Sequence, residues 1–272
     1  MPLKPRTQPP KPGSEGWTGW DDYAPCYDWE NARTQGRRDV PFWRRLTGAV
    51  GGRVLELGSG TGRIAVPLAR AGVSVVGIDR SAPMLGRAAR RAALRARRGG
   101  SARGHLTLVR GDIRALPFRS GRFHMVLAAY GVLQSILRER DLTATLDAVR
   151  RVLAPGGTFG IDLVPDVANW CEYRNRVQLR GRAAGGAYLT LIESVRQDRR
   201  RRLTMFEQRY VERTSRGVLE HRFELTFRTL PVRQVARRLE AAGFRVEAVL
   251  GDYRGRPWDE RADVWIILAK KV

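Results

Sequence analysis

The sequence predicts an α/β fold in which a doubly wound, mostly parallel sheet carries an antiparallel β insertion. Through the middle of the 272-residue chain, short and fully apolar runs alternate with stretches of helical periodicity. This alternation is typical of βαβ units in a sheet that helices cover on both faces. Further along, the alternation stops, and longer strand-like segments separated by turns indicate an antiparallel insertion.

The amino-terminal region is expected to lie outside the main sheet. Residues 1–16 are polar and proline-rich without apolar periodicity, which indicates a disordered arm. They contain no apolar stretch that resembles a secretory signal. Residues 17–50 are dense in aromatic side chains, so we expect a helical cap made of short helices.

Residues 51–164 are expected to form the first part of the core. The predicted strands span residues 54–57, 73–78, 106–109, 124–128 and 158–163. The predicted helices span residues 62–71, 82–98 and 140–153, with a shorter one near 131–137. Strands that alternate with helices in this way predict parallel pairing.

Residues 165–230 are expected to form the antiparallel insertion. Its three predicted strands span residues 188–196, 203–213 and 219–229. Residues 231–272 then complete the core sheet with a helix at 231–242 and strands at 244–250 and 264–270.

The formal net charge of +23 has two interpretations. Lys and Arg number 50 against 27 Asp and Glu. Nearly all the positive charge is arginine, because Lys4, Lys11, Lys270 and Lys271 are the only lysines. A basic surface of this size is typical of nucleic-acid binding. Arginine codons are mostly GC-rich, however, so the same excess is expected from genome composition alone.

Other features exclude whole classes of protein. The longest apolar runs are far shorter than the roughly 20 residues that span a bilayer, so no membrane partner is expected. Cys26 and Cys171 are too few for a disulfide framework or a zinc cluster, and we expect no metal site. These observations together predict a soluble, cytoplasmic protein.

The strongest motif is a glycine-rich turn that joins the first predicted strand to a helix. Its glycines are Gly58, Gly60 and Gly62. A dinucleotide-binding fingerprint has the spacing G-x-G-x-x-G, which would require glycine where Arg63 stands. A phosphate-binding P-loop would continue into Gly-Lys-Ser/Thr, and this chain does not. The turn therefore predicts a ligand of the nucleoside type, but neither a dinucleotide nor the phosphates that a P-loop binds.

Acidic residues near the turn specify that ligand further. Glu56 precedes the turn, where a carboxylate repels a pyrophosphate but pairs with an ammonium group. Asp79 ends the second predicted strand, at the position from which a carboxylate accepts hydrogen bonds from both ribose hydroxyls. Asp112 and Ile113 follow the third strand, suitably placed for an adenine amino edge and ring face. The predicted ligand has a ribose, an adenine and an ammonium group but no phosphate.

These motifs, followed by the turn at residues 153–157, resemble those of class I S-adenosylmethionine-dependent methyltransferases. The resemblance covers about residues 23–163 and 231–270. It implies a Rossmann-like core whose last strand is antiparallel, with S-adenosyl-L-methionine as the cofactor. Where this family often has Asp, the chain has His124, a position that is commonly structural, and no catalytic residue is assigned.

The resemblance also implies roles for individual residues. The turn from Glu56 to Gly62 would bind the methionine moiety, Asp79 the ribose and Asp112 the adenine N6. Met84 and Ile113 would contact the adenine ring. The remaining cofactor contacts implied are Ala129 and Tyr130 at the methyl end and Tyr27, which follows Tyr23 in a pattern that resembles the small-molecule branch.

The antiparallel insertion resembles the caps of N-methyltransferases that act on amino sugars or amino acids. Asp166, Trp170 and Tyr173 follow the fifth strand and are candidates for substrate contacts. We therefore expect methyl transfer to a small-molecule amine or hydroxyl, with release of S-adenosylhomocysteine. RNA or tRNA methylation by an arginine-rich surface and a non-catalytic cofactor-binding protein remain the alternatives, and the oligomeric state is not predicted.

Overall fold

A computed structural model describes residues 19–34, 38–96, 104–164, 172–183, 185–262 and 264–272. The arm expected at residues 1–16 lies outside the described residues, as do the substrate candidates Asp166 and Trp170. The chain divides into two compact units. A core unit comprises residues 37–166 and 230–272, and an antiparallel unit comprises residues 1–36 and 167–229.

Strands and helices follow one another along the described residues. The strands are β1 (Arg53–Leu57), β2 (Ser74–Asp79), β3 (Leu106–Arg110), β4 (Phe123–Ala128), β5 (Leu153–Leu163), β6 (Tyr173–Arg182), β7 (Tyr188–Asp198), β8 (Leu203–Thr214), β9 (Gly217–Arg228), β10 (Phe244–Leu250) and β11 (Trp265–Lys271). The helices are α1 (Trp20–Asn31), α2 (Val40–Val50), α3 (Ala65–Arg70), α4 (Ala82–Ala96), α5 (Glu139–Val152) and α6 (Val232–Ala241). None of these helices is long and apolar enough to cross a membrane.

The core unit is built on a seven-stranded sheet with the order β10-β11-β5-β4-β1-β2-β3. Strands β1 to β5 pair in parallel, whereas β11 is antiparallel to both of its neighbours. Alternate residues of β1 belong to different hydrophobic clusters, with Leu55 and Leu57 in one and Val54 in the other. Successive side chains of a strand point to opposite faces, so both faces of this sheet are buried. The predicted fold class is confirmed.

Several element boundaries differ from the predicted ones for local reasons. Helix α3 begins at Ala65 rather than at residue 62, because the glycine turn has left-handed backbone conformations as far as Gly62. The turn expected at residues 153–157 is part of β5, where the pairing register with β4 shifts and Gly156 has φ +67°. The short helix expected near 131–137 is a 3-10 helix at Val132–Ser135.

The antiparallel unit consists of α1 and a four-stranded sheet with the order β6-β7-β8-β9. Sequence analysis predicted three of these strands and missed β6. Its residues are mostly exposed and show no apolar alternation, so they lack the period-2 signal of a half-buried strand. Helix α1 is fixed to this sheet by the Trp29 indole, which donates a 3.2 Å hydrogen bond to the carbonyl of Arg182 at the end of β6.

Candidate active site

The glycine turn lies at the carboxyl end of β1, and its three glycines have φ between +51° and +72°. A Cβ atom on Gly58 would lie 2.4 Å from the Val132 side chain, and one on Gly62 would lie 2.8 Å from the Val66 side chain. A Cβ on Gly60 would have only a carbonyl oxygen at 3.9 Å. Gly58 and Gly62 are therefore fixed by packing, whereas Gly60 faces open space that a ligand can occupy.

Asp79, at the carboxyl end of β2, holds this turn in place. Its Oδ2 accepts a 2.8 Å hydrogen bond from the backbone N–H of Gly60, and its Oδ1 accepts one of 2.8 Å from the N–H of Ser81. The backbone N–H of Ser59 also donates to the carbonyl of Ile78 at 3.0 Å. The carboxylate and the glycine turn are thus positioned together by neighbouring parallel strands.

Glu56 is 4% exposed, and its Oε2 accepts no hydrogen bond from any residue in the described part of the chain. Burial raises the pKa of its carboxyl to about 8, partly offset by the positive charge of Arg63. Buried carboxylates are normally paired or fully hydrogen-bonded. An ammonium group of a ligand bound here would donate the missing hydrogen bond to Oε2 of Glu56.

Asp112 follows β3 and is held by Arg114. The Arg114 guanidinium lies 2.7 Å from Asp112 Oδ2, and the Arg114 backbone N–H donates to Oδ1 at 2.9 Å. Burial opposes ionisation of Asp112, but the hydrogen bonds from Arg114 outweigh it and lower the pKa. Ile113 packs against the hydrophobic cluster that contains Leu55 and Leu57, and Met84 is buried. Their contacts with adenine remain predictions.

Two further predicted residues directly follow β4. Ala129 is buried in the hydrophobic cluster that contains Val54. Tyr130 has φ +60°, a backbone conformation that residues other than glycine rarely adopt. The Arg63 guanidinium lies 4.9 Å from the centroid of the Tyr130 ring. Arg63 in turn makes a two-pronged ion pair with buried Asp39, at 2.6 and 2.7 Å. This chain of contacts holds the Tyr130 ring in one place.

Sequence analysis missed a second group of buried residues at the same edge of the sheet. Asp162, near the end of β5, is 1% exposed. It accepts hydrogen bonds from the Gly131 backbone N–H at 3.1 Å and from the Tyr253 hydroxyl at 2.9 Å. Burial raises the pKa of Asp162 to about 6, and also raises that of Tyr253. A lone acid in the otherwise apolar end of this strand was the available signal.

Tyr27 and Tyr173 belong to the antiparallel unit. The Tyr27 ring contacts Trp20 and Tyr23 edge-on, with centroids 6.0 and 5.9 Å apart. The Tyr173 hydroxyl donates a hydrogen bond to Glu193. Their proposed contacts with cofactor and substrate remain predictions. The described residues contain no group of three or more side chains that could hold a metal ion.

Comparisons with known proteins give a consistent result. The sequence profile of a family described as a methyltransferase domain matches residues 54–157. A demethylmenaquinone methyltransferase of Renibacterium salmoninarum is 34% identical over 199 residues, a match that covers 65% of this chain and 74% of that protein.

Solved structures resemble nearly the whole chain. The CcbJ methyltransferase from Streptomyces caelestis has a TM-score of 0.75 at 23% identity, and the match covers 95% of this chain and 100% of that one. The sugar N-methyltransferase KedS8 from Streptoalloteichus has a TM-score of 0.72 at 16% identity, covering 100% and 98%. At these identities the likeness concerns the fold.

Proposed function

Because this chain belongs to the class I S-adenosylmethionine-dependent methyltransferases, we propose that it methylates the nitrogen of a small-molecule amine and releases S-adenosylhomocysteine. The observation that carries the choice of acceptor is the antiparallel unit, which we propose caps the substrate. The likeness to a sugar N-methyltransferase extends over 100% of this chain and so includes that unit. The match to the demethylmenaquinone enzyme covers 65% of the chain.

The residues at the carboxyl edge of the core sheet fit S-adenosylmethionine. The unpartnered Oε2 of Glu56 is a buried acceptor suited to the ammonium of the methionine moiety. The open space at Gly60 lets the backbone of the turn approach a ligand closely. In the proposed assignment, Asp79 holds the ribose and Asp112, with Ile113, holds the adenine.

The bound cofactor supplies a methyl group on a sulfonium, which is already a strong electrophile. The protein then has to orient the acceptor nitrogen and exclude water, which contributes several kcal/mol to lowering the barrier. We assign the orientation of the methyl end to Ala129 and Tyr130. Arg63 fixes the Tyr130 ring, and Asp162 holds the backbone N–H of Gly131 that follows it. No general base is assigned, since a neutral amine needs none in the transfer step.

Methylation of a ring carbon of a reduced quinone, a quinol, is the second candidate function. The observation that favours it is the 34% identity to the demethylmenaquinone methyltransferase. A carbon acceptor, unlike an amine, has no nitrogen that is protonated to an ammonium group before the reaction. The two candidates therefore predict different acceptors in a direct assay.

A transfer assay with S-adenosylmethionine labelled with ¹³C in the methyl group tests the proposal. The acceptor panel contains amino sugars, amino acids, a demethylated naphthoquinol kept reduced under anaerobic conditions, and bulk tRNA. We expect labelled N-methyl signals with one or more amines and none with the quinol or tRNA. Label on a ring carbon of the quinol alone would support the second candidate and contradict the first.

A further inference from the structure

Two carboxylates of the antiparallel unit form no ion pair with any cationic side chain in the described part of the chain. Glu193 on β7 is 8% exposed, and Glu30 in the last turn of α1 is half-buried. The amide nitrogen of Gln208 links them, 2.9 Å from Glu193 Oε2 and 3.4 Å from Glu30 Oε1. In a chain with a net charge of +23, no basic side chain of the described residues forms an ion pair with either carboxylate.

Besides the Gln208 amide, the hydrogen-bond donors to this pair are neutral hydroxyls. Tyr23 and Tyr210 donate to Glu30, and Tyr173 donates to Glu193. Burial raises the pKa of all three tyrosines, so they remain protonated donors. Burial also raises the pKa of Glu30. Neutral donors stabilise two neighbouring carboxylates but supply no positive charge, and Arg176, opposite Glu193 in the sheet, lies 5.6 Å from the Tyr173 ring without an ion pair to Glu193. Two desolvated carboxylates without an ion pair are costly.

A third acceptor in the same cluster is unpartnered. The amide oxygen of Gln208 is buried and accepts no hydrogen bond from a described residue. Its amide nitrogen faces the two carboxylates, and a flipped amide would place oxygen against oxygen there. The cluster thus offers carboxylate and amide oxygens but lacks N–H donors with a positive charge. An ammonium group has three N–H donors and one positive charge.

Aromatic rings cluster around Tyr23, whose hydroxyl donates to Glu30. The Tyr23 ring centroid lies 5.3 Å from that of Phe223 and 5.9 Å from that of Tyr27. The Trp20 ring contacts both tyrosines of α1, at 5.5 and 6.0 Å. Tyr27 and Trp20 are partly exposed, so the rings reach solvent. Aromatic faces beside a desolvated carboxylate are the composition that binds organic ammonium ions.

We propose that Glu30 and Glu193, beside the ring of Tyr23, bind the protonated amino group of an amine ligand. With the proposed function, on which this step rests, that ligand is the methyl acceptor, and the ammonium gives its proton to one of the two carboxylates before the nitrogen lone pair attacks the methyl group. The carboxylates then select amines over neutral molecules of the same shape by charge. All residues of the proposed ammonium site belong to the antiparallel unit.

Carboxyl ¹³C NMR of the full chain labelled at glutamate tests the site directly, with dimethylammonium chloride as the probe. We expect saturable shifts of the Glu30 and Glu193 carboxyl carbons and none with sodium chloride at equal ionic strength. E193Q should weaken the response at least about tenfold, because it removes one of two charges. No saturable shift with dimethylammonium, or an undiminished shift in E193Q, would overturn the proposal.

E224Q is a matched control for these variants. Glu224 lies on β9 opposite Glu207, on the other face of the sheet from Gln208, and its carboxyl is also partly buried. We expect E224Q to bind the probe like the parent. E30Q provides a second test of the site, and unfolding of both E30Q and E193Q would show that the carboxylates are structural, against the proposal.

Thermal unfolding separates binding from structure. Dimethylammonium should raise the Tm of the parent but not that of E193Q, and E193Q without ligand should be no less stable than the parent. The transfer assay distinguishes this proposal from the proposed function. Amines that are methylated without a carboxyl response contradict the ammonium site alone, whereas saturable binding without any N-methylation contradicts the amine acceptor alone.

Discussion

At the scale of single residues, we expect Glu56 to be a charge-sensitive contact with the cofactor. In the free protein its carboxyl has a pKa of about 8, so it is mostly protonated at pH 7. An ammonium group placed at its Oε2 favours the ionised form and lowers that pKa. Binding should therefore release about one proton at pH 7, and affinity should rise as pH increases from 6 to 7.5.

Calorimetric titration with S-adenosylhomocysteine in buffers of different ionisation enthalpy measures this proton. E56Q is the comparison, because it has the same shape but does not titrate. We expect E56Q to bind more weakly and to release no proton. Equal proton release by parent and E56Q would show that another group titrates on binding.

Asp79 should contribute to cofactor affinity directly. Asp79→Ala removes a charged acceptor from the two ribose hydroxyls, and we expect a loss of about 2 kcal/mol in S-adenosylhomocysteine binding. Asp259→Ala is the control, since Asp259 is an exposed acid in the same unit that accepts a hydrogen bond from the Arg261 backbone. Unchanged affinity in a folded Asp79→Ala protein would remove this residue from the site.

At the scale of elements, the glycine turn is where space matters most. Gly60→Val should abolish S-adenosylhomocysteine binding while the protein remains folded, because the branched side chain fills the open space beside the turn. Gly121→Val is the matched control, with a similar φ of +66° and open space around its Cβ position. Circular dichroism and titration check both variants, and binding by Gly60→Val at parental affinity would show that this side of the turn does not face the cofactor.

The elements that the sequence predicted were those with a strong local signal. Strands β1, β2 and β4 are apolar enough to be recognised from a few residues. Strand β6 was missed because its residues are mostly exposed and arginine-rich and show no apolar alternation. The fold class depends on the first kind of element, and it was predicted correctly.

The sequence indicated the positions of two residues of the candidate site, because both lie near strand ends. Glu56 and Asp79 lie at the same edge of the sheet, since β1 and β2 are parallel and their carboxyl ends meet there. The Asp39–Arg63 ion pair joins positions 24 residues apart, and the Tyr253–Asp162 hydrogen bond joins positions 91 apart. Such partners depend on tertiary packing, so no spacing in the sequence indicates them.

At the scale of the whole molecule, the net charge of +23 still allows an RNA partner. A small-molecule acceptor does not require a basic surface. Arginines 199 to 202 form the turn between β7 and β8, and all four are exposed. This turn is the densest basic segment of the antiparallel unit, so it gives the sharpest test of whether the charge binds phosphates.

Replacing Arg199, Arg200, Arg201 and Arg202 with serine should leave methyl transfer nearly intact. Exposed side chains in a turn contribute little individually, and these four repel one another. If the turn instead contacts a phosphate backbone, the variant should lose tRNA affinity. Its affinity for tRNA should also fall less steeply with salt concentration, by the contribution of up to about four phosphate contacts. Fluorescence anisotropy with bulk tRNA at two salt concentrations distinguishes the two cases.

The control replaces Arg53, Arg216, Arg254 and Arg261, which are exposed and dispersed, and removes the same charge. Tight tRNA binding that is lost in the turn variant but kept in the control would contradict a small-molecule acceptor.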